Sequence, residues 1–295
     1  MPSERILFDS PTVRIGHFVC TPDEPHWHAE NIINGTVVVF PSVPVRIHQA
    51  DCDPVLADRN VVMYYNDGQP YRRGLLHDRG DSAVWISLKG HHAHELLREC
   101  RSSLRTEPDR PFDLDHGPSP AGCYLRHQTL SHRLVHDEPA SSLLADEAAI
   151  TLVRDLLAAE ASARGRTAPR PSRDDTARTR RRTVEHVREL LATDPGSAWT
   201  LDEIVRRVCV SPSHLCRLFK QELGVTIHQY LTQLRLREAA EAVLAGERDL
   251  AMLAVRLGFS THSHFTEHFR RAFGVPPRRL RNADVLSRIS RAGAA

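Results

Sequence analysis

The sequence predicts an α+β multidomain chain, with a β-rich N-terminal half and an all-α C-terminal third. Three observations predict it. Short β-rich runs separated by turn residues crowd residues 12–88. Helical apolar spacing takes over after Gly90. Finally, residues 205–225 recur, shifted by 50, at 255–275: Val205, Arg206, Ser213, His214, Phe219, Gly224 and Val225 match Val255, Arg256, Ser263, His264, Phe269, Gly274 and Val275. A repeat of this size marks one small supersecondary unit used twice.

The bulk properties narrow the class. A chain of 295 residues favours two domains over one. No run of roughly 18 apolar residues is present, so no membrane span is expected. The N-terminus lacks a basic region followed by an apolar core, so no secretory signal is expected, and the chain reads as cytoplasmic. The six cysteines form no Cys-x-x-Cys pair, which argues against a zinc finger. Residues 176–295 hold 20 Arg/Lys against 12 Asp/Glu, a surplus of +8, whereas residues 1–175 hold 19 against 25, or −6. A basic C-terminal end beside an acidic remainder points to nucleic-acid affinity at one end, although solvated basic helices give the same count.

In chain order, Val13, Ile15 and Val19 alternate around Arg14 and Gly16, as one face of a strand does. Further strands are expected over 36–40, 43–47, 61–65 and 83–88, separated by turn residues such as Asn34-Gly35 and Asp67-Gly68. That pattern suits an antiparallel barrel or sandwich. Helices are expected over 94–104, 124–135 and 141–163. The stretch 164–175 is rich in Pro, Arg and small polar residues and reads as a linker. The resulting division is 1–163, a linker 164–179, a helical domain 180–282 and a tail 283–295.

Each repeated copy reads as helix, tight turn, helix. In the first, Thr200 and Glu203 suit a capping box, and Leu201, Ile204, Val205 and Val208 form an apolar stripe. Ser211 is placed to cap the next helix, with Pro212 at its first position and Gly224 beyond its end. Leu215, Leu218, Phe219 and Leu223 then face inward, leaving Ser213, Cys216, Arg217, Lys220 and Gln221 outside. In the second copy Phe265, Phe269, Ala272 and Phe273 face inward, leaving His262, Ser263, Thr266, Glu267, Arg270 and Arg271 outside. Outward polar faces of this kind read base edges when a helix enters the major groove. Arg217 suits a bidentate contact to guanine and Lys220 a phosphate. Glu267 stands where the first copy has Arg217. It either accepts from cytosine N4 or pairs with a neighbouring arginine. Residues 227–245 form one expected helix joining the copies.

Residues 180–282 resemble the DNA-binding domain of the AraC/XylS family of bacterial transcription regulators. The resemblance rests on Gly258, Phe259, Ser263, Phe265, Phe269, Arg270, Gly274 and Pro277 in the second copy. Leu201, Ile204, Ser211, Leu215, Arg217, Phe219 and Gly224 add to it in the first, and Tyr230, Arg235 and Ala239 in the joining helix. It implies two helix-turn-helix units on one double-stranded DNA site. Base contacts would come from Ser213, Cys216, Arg217, His262, Ser263, Thr266 and Glu267, with Lys220, Gln221 and Arg270 beside them. Family members often have a basic residue at the position of Glu267. The resemblance also implies a transcription regulator, activator or repressor, with RNA polymerase as a partner and a homodimer as one possible state. Its N-terminal cupin-like barrel would sense a small-molecule effector, and neither an enzyme activity nor a resident cofactor is expected.

The N-terminal half offers weaker signals. His26-x-His28 on a strand would point both imidazoles to one face, where His77 could join them around a metal. Chance also explains the pair, because twelve of the eighteen histidines precede residue 140. A metal there would open an alternative, a cupin-type oxygenase or isomerase fused to a DNA-binding tail. Cys20 and Cys52 are candidates for a thiol sensor. Trp27, Tyr64, Tyr65, Tyr71 and Trp85 either line an apolar ligand pocket or form ordinary core.

Overall fold

The computed structural model describes residues 3–49, 53–90, 95, 112–136, 142–164 and 174–291. The chain divides into two compact units, one of residues 1–166 with 279–295 and the other of residues 167–278.

In the first unit the strands run in the order β1 (Ser3–Asp9), β2 (Val13–Cys20), β3 (Asn31–Ile32), β4 (Thr36–Pro41), β5 (Val45–Gln49), β6 (Val55–Ala57), β7 (Val61–Tyr65), β8 (Pro70–Gly74), β9 (Asp81–Leu88) and β10 (His116–Pro118). A one-turn helix, α1 (Pro25–His28), follows β2. The strands form a six-stranded sheet, β1-β2-β9-β4-β7-β10, and a four-stranded sheet, β3-β8-β5-β6, with antiparallel pairing throughout. The two sheets remain separate, so no closed barrel forms among the described residues.

The sequences of β4, TVVVFP, and β7, VVMYY, explain this layering. Both are nearly continuous apolar runs, as strands buried on both faces require. Because side chains alternate, Val38, Phe40, Val62 and Tyr64 join one core with Val13, Ile15, Ile86 and Leu88. Helices α2 (Ala121–His136) and α3 (Ser142–Arg164) pack together beside this sheet. Leu152, Val153 and Leu156 of α3 complete that core. The alternate residues Val37, Met63 and Tyr65 join a second core with Val45, Ile47, Val55 and Ala57 of the four-stranded sheet. The expected helix over 94–104 lies outside the described residues, apart from position 95.

The second unit is helical: α4 (Asp174–Thr193), α5 (Leu201–Val208), α6 (Pro212–Leu223), α7 (Ile227–Leu244), α8 (Leu250–Arg256) and α9 (His262–Phe273), followed by a 3-10 turn at Pro277–Arg281. Helix α4 begins inside the stretch read as a linker, because Val184, Val187 and Leu191 give it a buried stripe at helical spacing. Helix α7 is about 27 Å long at 1.5 Å per residue. It buries Tyr230, Leu231, Leu234, Leu236, Ala239 and Val243. The last helix, α10 (Ala283–Arg291), belongs to the first unit. There it packs against α2 and α3 with Val285 and Leu286 buried. Among the described residues no helix is long and apolar enough to cross a membrane.

Candidate nucleic-acid interface

Each helix-turn-helix is set by local chemistry at its ends. In α5 the Thr200 hydroxyl accepts from the Glu203 N–H at 3.2 Å. The expected capping box is only half formed, because the Glu203 carboxylate accepts from Arg207 at 3.0 Å. Leu201, expected in the buried stripe, is 38% exposed, so Ile204 alone is fully buried on this short helix. Cys209 ends α5 in the left-handed region, φ 55°. Ser211 then occupies the N-cap position of α6, but its side chain makes no cap bond. Pro212 fixes the first turn instead, since its missing N–H would be unpaired there in any case. In the second copy Thr261 does cap α9, accepting from the His264 N–H at 3.1 Å. Gly224 and Gly274 end α6 and α9 at φ 72° and 75°, each donating its N–H to the carbonyl four residues back.

These ends mount two outward faces. Leu215, Leu218 and Phe219 are buried in α6, while Ser213, Cys216, Arg217, Lys220 and Gln221 are exposed. Phe265, Phe269 and Phe273 are buried in α9, while His262, Ser263, Glu267 and Arg270 are exposed and Thr266 is half-buried. The structure thus puts the ten candidate DNA-contacting residues on two helices, five to each. The Arg217 guanidinium lies 3.3 Å from His214 Nδ1. Glu267 instead accepts from Arg271 at 2.6 Å, an exposed pair one turn apart. Burial pushes the His268 imidazole below its usual value, and His264 and Arg271 add to that.

Arg235 braces this unit. From α7 it donates to three carbonyl oxygens: Pro195 at 2.7 Å, Ser197 at 2.8 Å and Gly258 at 2.8 Å. Gly258 is the turn residue of the second copy, and Pro195 and Ser197 precede the first. Gly258 sits at φ 73°, and a Cβ there would come within 2.6 Å of Arg235 Nη2. Sequence reasoning placed Arg235 in the joining helix but not as this clamp. The signal was an arginine midway along the joining helix together with two glycines, Gly196 and Gly258, at distant turns.

The first unit holds a cavity of about 480 Å³ lined by residues of both sheets, including Val37, Val39, Ile47, Met63 and Trp85. Gly16 makes room for Trp85, since a Cβ at Gly16 would meet the indole at 2.4 Å. Tyr65, Tyr71 and Trp85 line this cavity, as one sequence reading expects, whereas Trp27 and Tyr64 are core. Arg73, which the sequence did not single out, is also a lining residue. It is buried, donates Nε to Asp81 at 2.8 Å and Nη2 to the Tyr71 hydroxyl at 2.6 Å, and stacks over Phe18. Burial pushes the Tyr71 phenol up to about 12 and raises the Asp81 carboxyl, the latter against the pull of Arg73.

Two sequence expectations need correction. His26 and His28 lie on α1, not on a strand, because Pro25 starts a helical turn there. Residues two apart on a helix point about 200° apart, so the pair does not share a face. Trp27 between them is buried. Among the described residues no group of three His, Cys, Asp or Glu is placed to hold a metal, with His77 or without it. Cys20 is fully buried, and that burial raises its thiol pKa, the opposite of what an oxidation sensor needs. Cys52 lies outside the described residues.

Residues 204–283 match a helix-turn-helix domain family. The chain is 40% identical over 83 residues to the HTH-type transcriptional regulator ArgR of Pseudomonas aeruginosa, covering 28% of this chain and 25% of that one. In this domain the chain is similar to AraC-type transcription regulators. It is 28% identical over 103 residues to the multiple antibiotic resistance protein MarA of Escherichia coli, covering 35% of this chain and 81% of MarA. The solved C-terminal domain of AraT, a response regulator from Geobacillus stearothermophilus, is 31% identical. It covers 39% of this chain and 86% of that one, with a TM-score of 0.31. The matched stretch spans about a quarter of the length of ArgR.

Proposed function

We propose that this chain is a sequence-specific transcription regulator that reads two successive major grooves with α6 and α9 and answers to a small molecule held in its N-terminal unit. The observation that carries the reading is the pair of exposed polar faces mounted on buried aromatic and leucine anchors and clamped by Arg235. Two-fold helix-turn-helix dimers place their reading helices about 34 Å apart, one turn of DNA. A connecting helix of roughly 27 Å is of the right order to let one chain address both grooves. Ser213, Cys216 and Arg217 are the base-reading residues of the first helix, and His262, Ser263, Thr266 and Glu267 those of the second. Lys220, Gln221 and Arg270 serve the backbone or its margin.

The two-sheet unit is read as cupin-like, with its cavity as the effector site. An effector that binds one arrangement of that unit better than another shifts the population of DNA-binding forms by its differential affinity, and by no more than that. Such a regulator acts in the cytoplasm, where RNA polymerase is its natural partner and a second copy of the chain an expected one.

Selection of bound duplexes from a random pool tests this. The expected result is a site with two half-sites about one helical turn apart and affinity that falls steeply with salt. Salt-dependent binding with no sequence preference would reject the two-groove reading.

A further inference from the structure

Resting on the reading of the N-terminal cavity as the effector site, its chemistry can be taken one step further. The walls are mixed: apolar side chains such as Val37, Ile47 and Met63 share them with buried Arg73 and with Glu4, Arg14 and Lys89. Arg73 has five N–H bonds. Nε is used by Asp81 and Nη2 by Tyr71, while Nη1 is buried with no hydrogen-bond partner among the described residues. The Tyr71 oxygen accepts from Arg73, so the phenolic proton remains to be donated. Arg73 and Tyr71, both lining residues, therefore hold donors that are not yet used. A buried donor left unpaired costs free energy that a ligand acceptor would recover.

Charge decides which acceptor. Asp81 lies 2.8 Å from the guanidinium, and the side chains of both are buried. Within this pair the arginine charge is already matched, and the other lining cations, Arg14 and Lys89, are both paired with Asp9. Bringing in a carboxylate would bury a further, unmatched negative charge, which is expensive. A purely aliphatic ligand would leave Nη1 unpaired, and an amine would set donor against donor. We propose that the cavity takes an uncharged, mainly apolar small molecule carrying a carbonyl-type oxygen, and that Arg73 Nη1 is the donor that seats it.

Trp85 in the wall supplies the readout, and three near-isosteric probes separate the possibilities: 4-phenylbutan-2-one, 3-phenylpropanoate and butylbenzene. Each is titrated into the full-length protein while tryptophan emission and affinity for the selected duplex are followed. The ketone should give a saturable change, with the acid and the hydrocarbon at least about tenfold weaker. In Arg73→Lys, which keeps a cation for Asp81, the ketone should lose about tenfold while butylbenzene is unchanged. A collapsed cavity would weaken both, and Tyr71→Phe provides a second variant that leaves the ion pair intact. If the acid binds as well as the ketone, the uncharged-ligand inference is overturned and the cavity remains a ligand site. If butylbenzene matches the ketone, Arg73 does not seat the ligand. A ketone that binds without altering duplex affinity leaves the inference standing and removes the effector role. If no probe changes the emission, both fall.

Discussion

Helices α6 and α9 are built on one plan and finished differently. Both bury three large apolar residues and end on a left-handed glycine. Their outward faces diverge. Arg217 on α6 has a loose contact to His214, whereas its counterpart Glu267 on α9 is held by Arg271 in a short ion pair. The starts differ too: Thr261 caps α9 through its hydroxyl, whereas Ser211 leaves α6 to Pro212. The scaffold repeats one solution because its task is the same in both places, while the divergent faces are what the proposed reading of two different stretches of DNA requires. The first arm is poised to donate to a base. The second must give up an ion pair before its carboxylate accepts anything.

What the two arms share should be the most costly thing to lose. Arg235→Ala removes three charge-assisted bonds and strands the carbonyls of Pro195, Ser197 and Gly258. Thermal or denaturant unfolding of residues 167–278 within the intact chain should show a loss of about 3 kcal/mol or more. Both half-sites should weaken together. Loss confined to one half-site would mean that the clamp serves one module only, and the shared-scaffold comparison would fail.

Arg217→Ala comes next. It should weaken binding to the selected site by about 1–3 kcal/mol and relax preference at one base pair of the first half-site, with stability nearly unchanged. An equal loss on every sequence would make Arg217 a phosphate contact and erase the contrast with Glu267.

The caps give a sharper, smaller contrast. Thr261→Ala should destabilise by about 1 kcal/mol, because the His264 N–H loses its acceptor. Ser211→Ala should cost at most about half of that, since no cap bond is broken there. Equal losses in the two variants, measured by urea unfolding, would show that Ser211 caps α6 after all.

The second unit was largely legible because its signals are local. Apolar spacing, Pro212 and the two terminal glycines each act within a few residues, and repetition doubled every one of them. The N-terminal unit is made by distant pairings, and those leave little local trace. Strand β1 is charged and mostly exposed at the sheet edge, and β8, PYRRG, has no apolar alternation. Arg73 looked like one more surface arginine within that run, and only the pairing of β8 with its neighbours and the approach of Asp81 from β9 bury it. The His-x-His pair misled for the opposite reason. A strand was assumed around it, and a single proline changed the local geometry.

The smallest effect bears on the largest question about the second arm. Both Glu267 and Arg271 are more than half exposed, so their pair is worth only about 0.3–0.5 kcal/mol to the folded state. Glu267→Gln should therefore leave the unfolding midpoint almost unmoved. If the carboxylate reads cytosine, the substitution should change preference at one base pair of the second half-site, because a glutamine donates where a carboxylate only accepts. Arg271→Ala separates this from a purely local pairing. With its partner gone, Glu267 no longer has an ion pair to break, so discrimination at that base pair should be kept or sharpened even as a nearby positive charge is lost. If Glu267→Gln leaves every base preference intact, Glu267 serves only to hold Arg271. The second arm would then read DNA through His262, Ser263 and Thr266 alone.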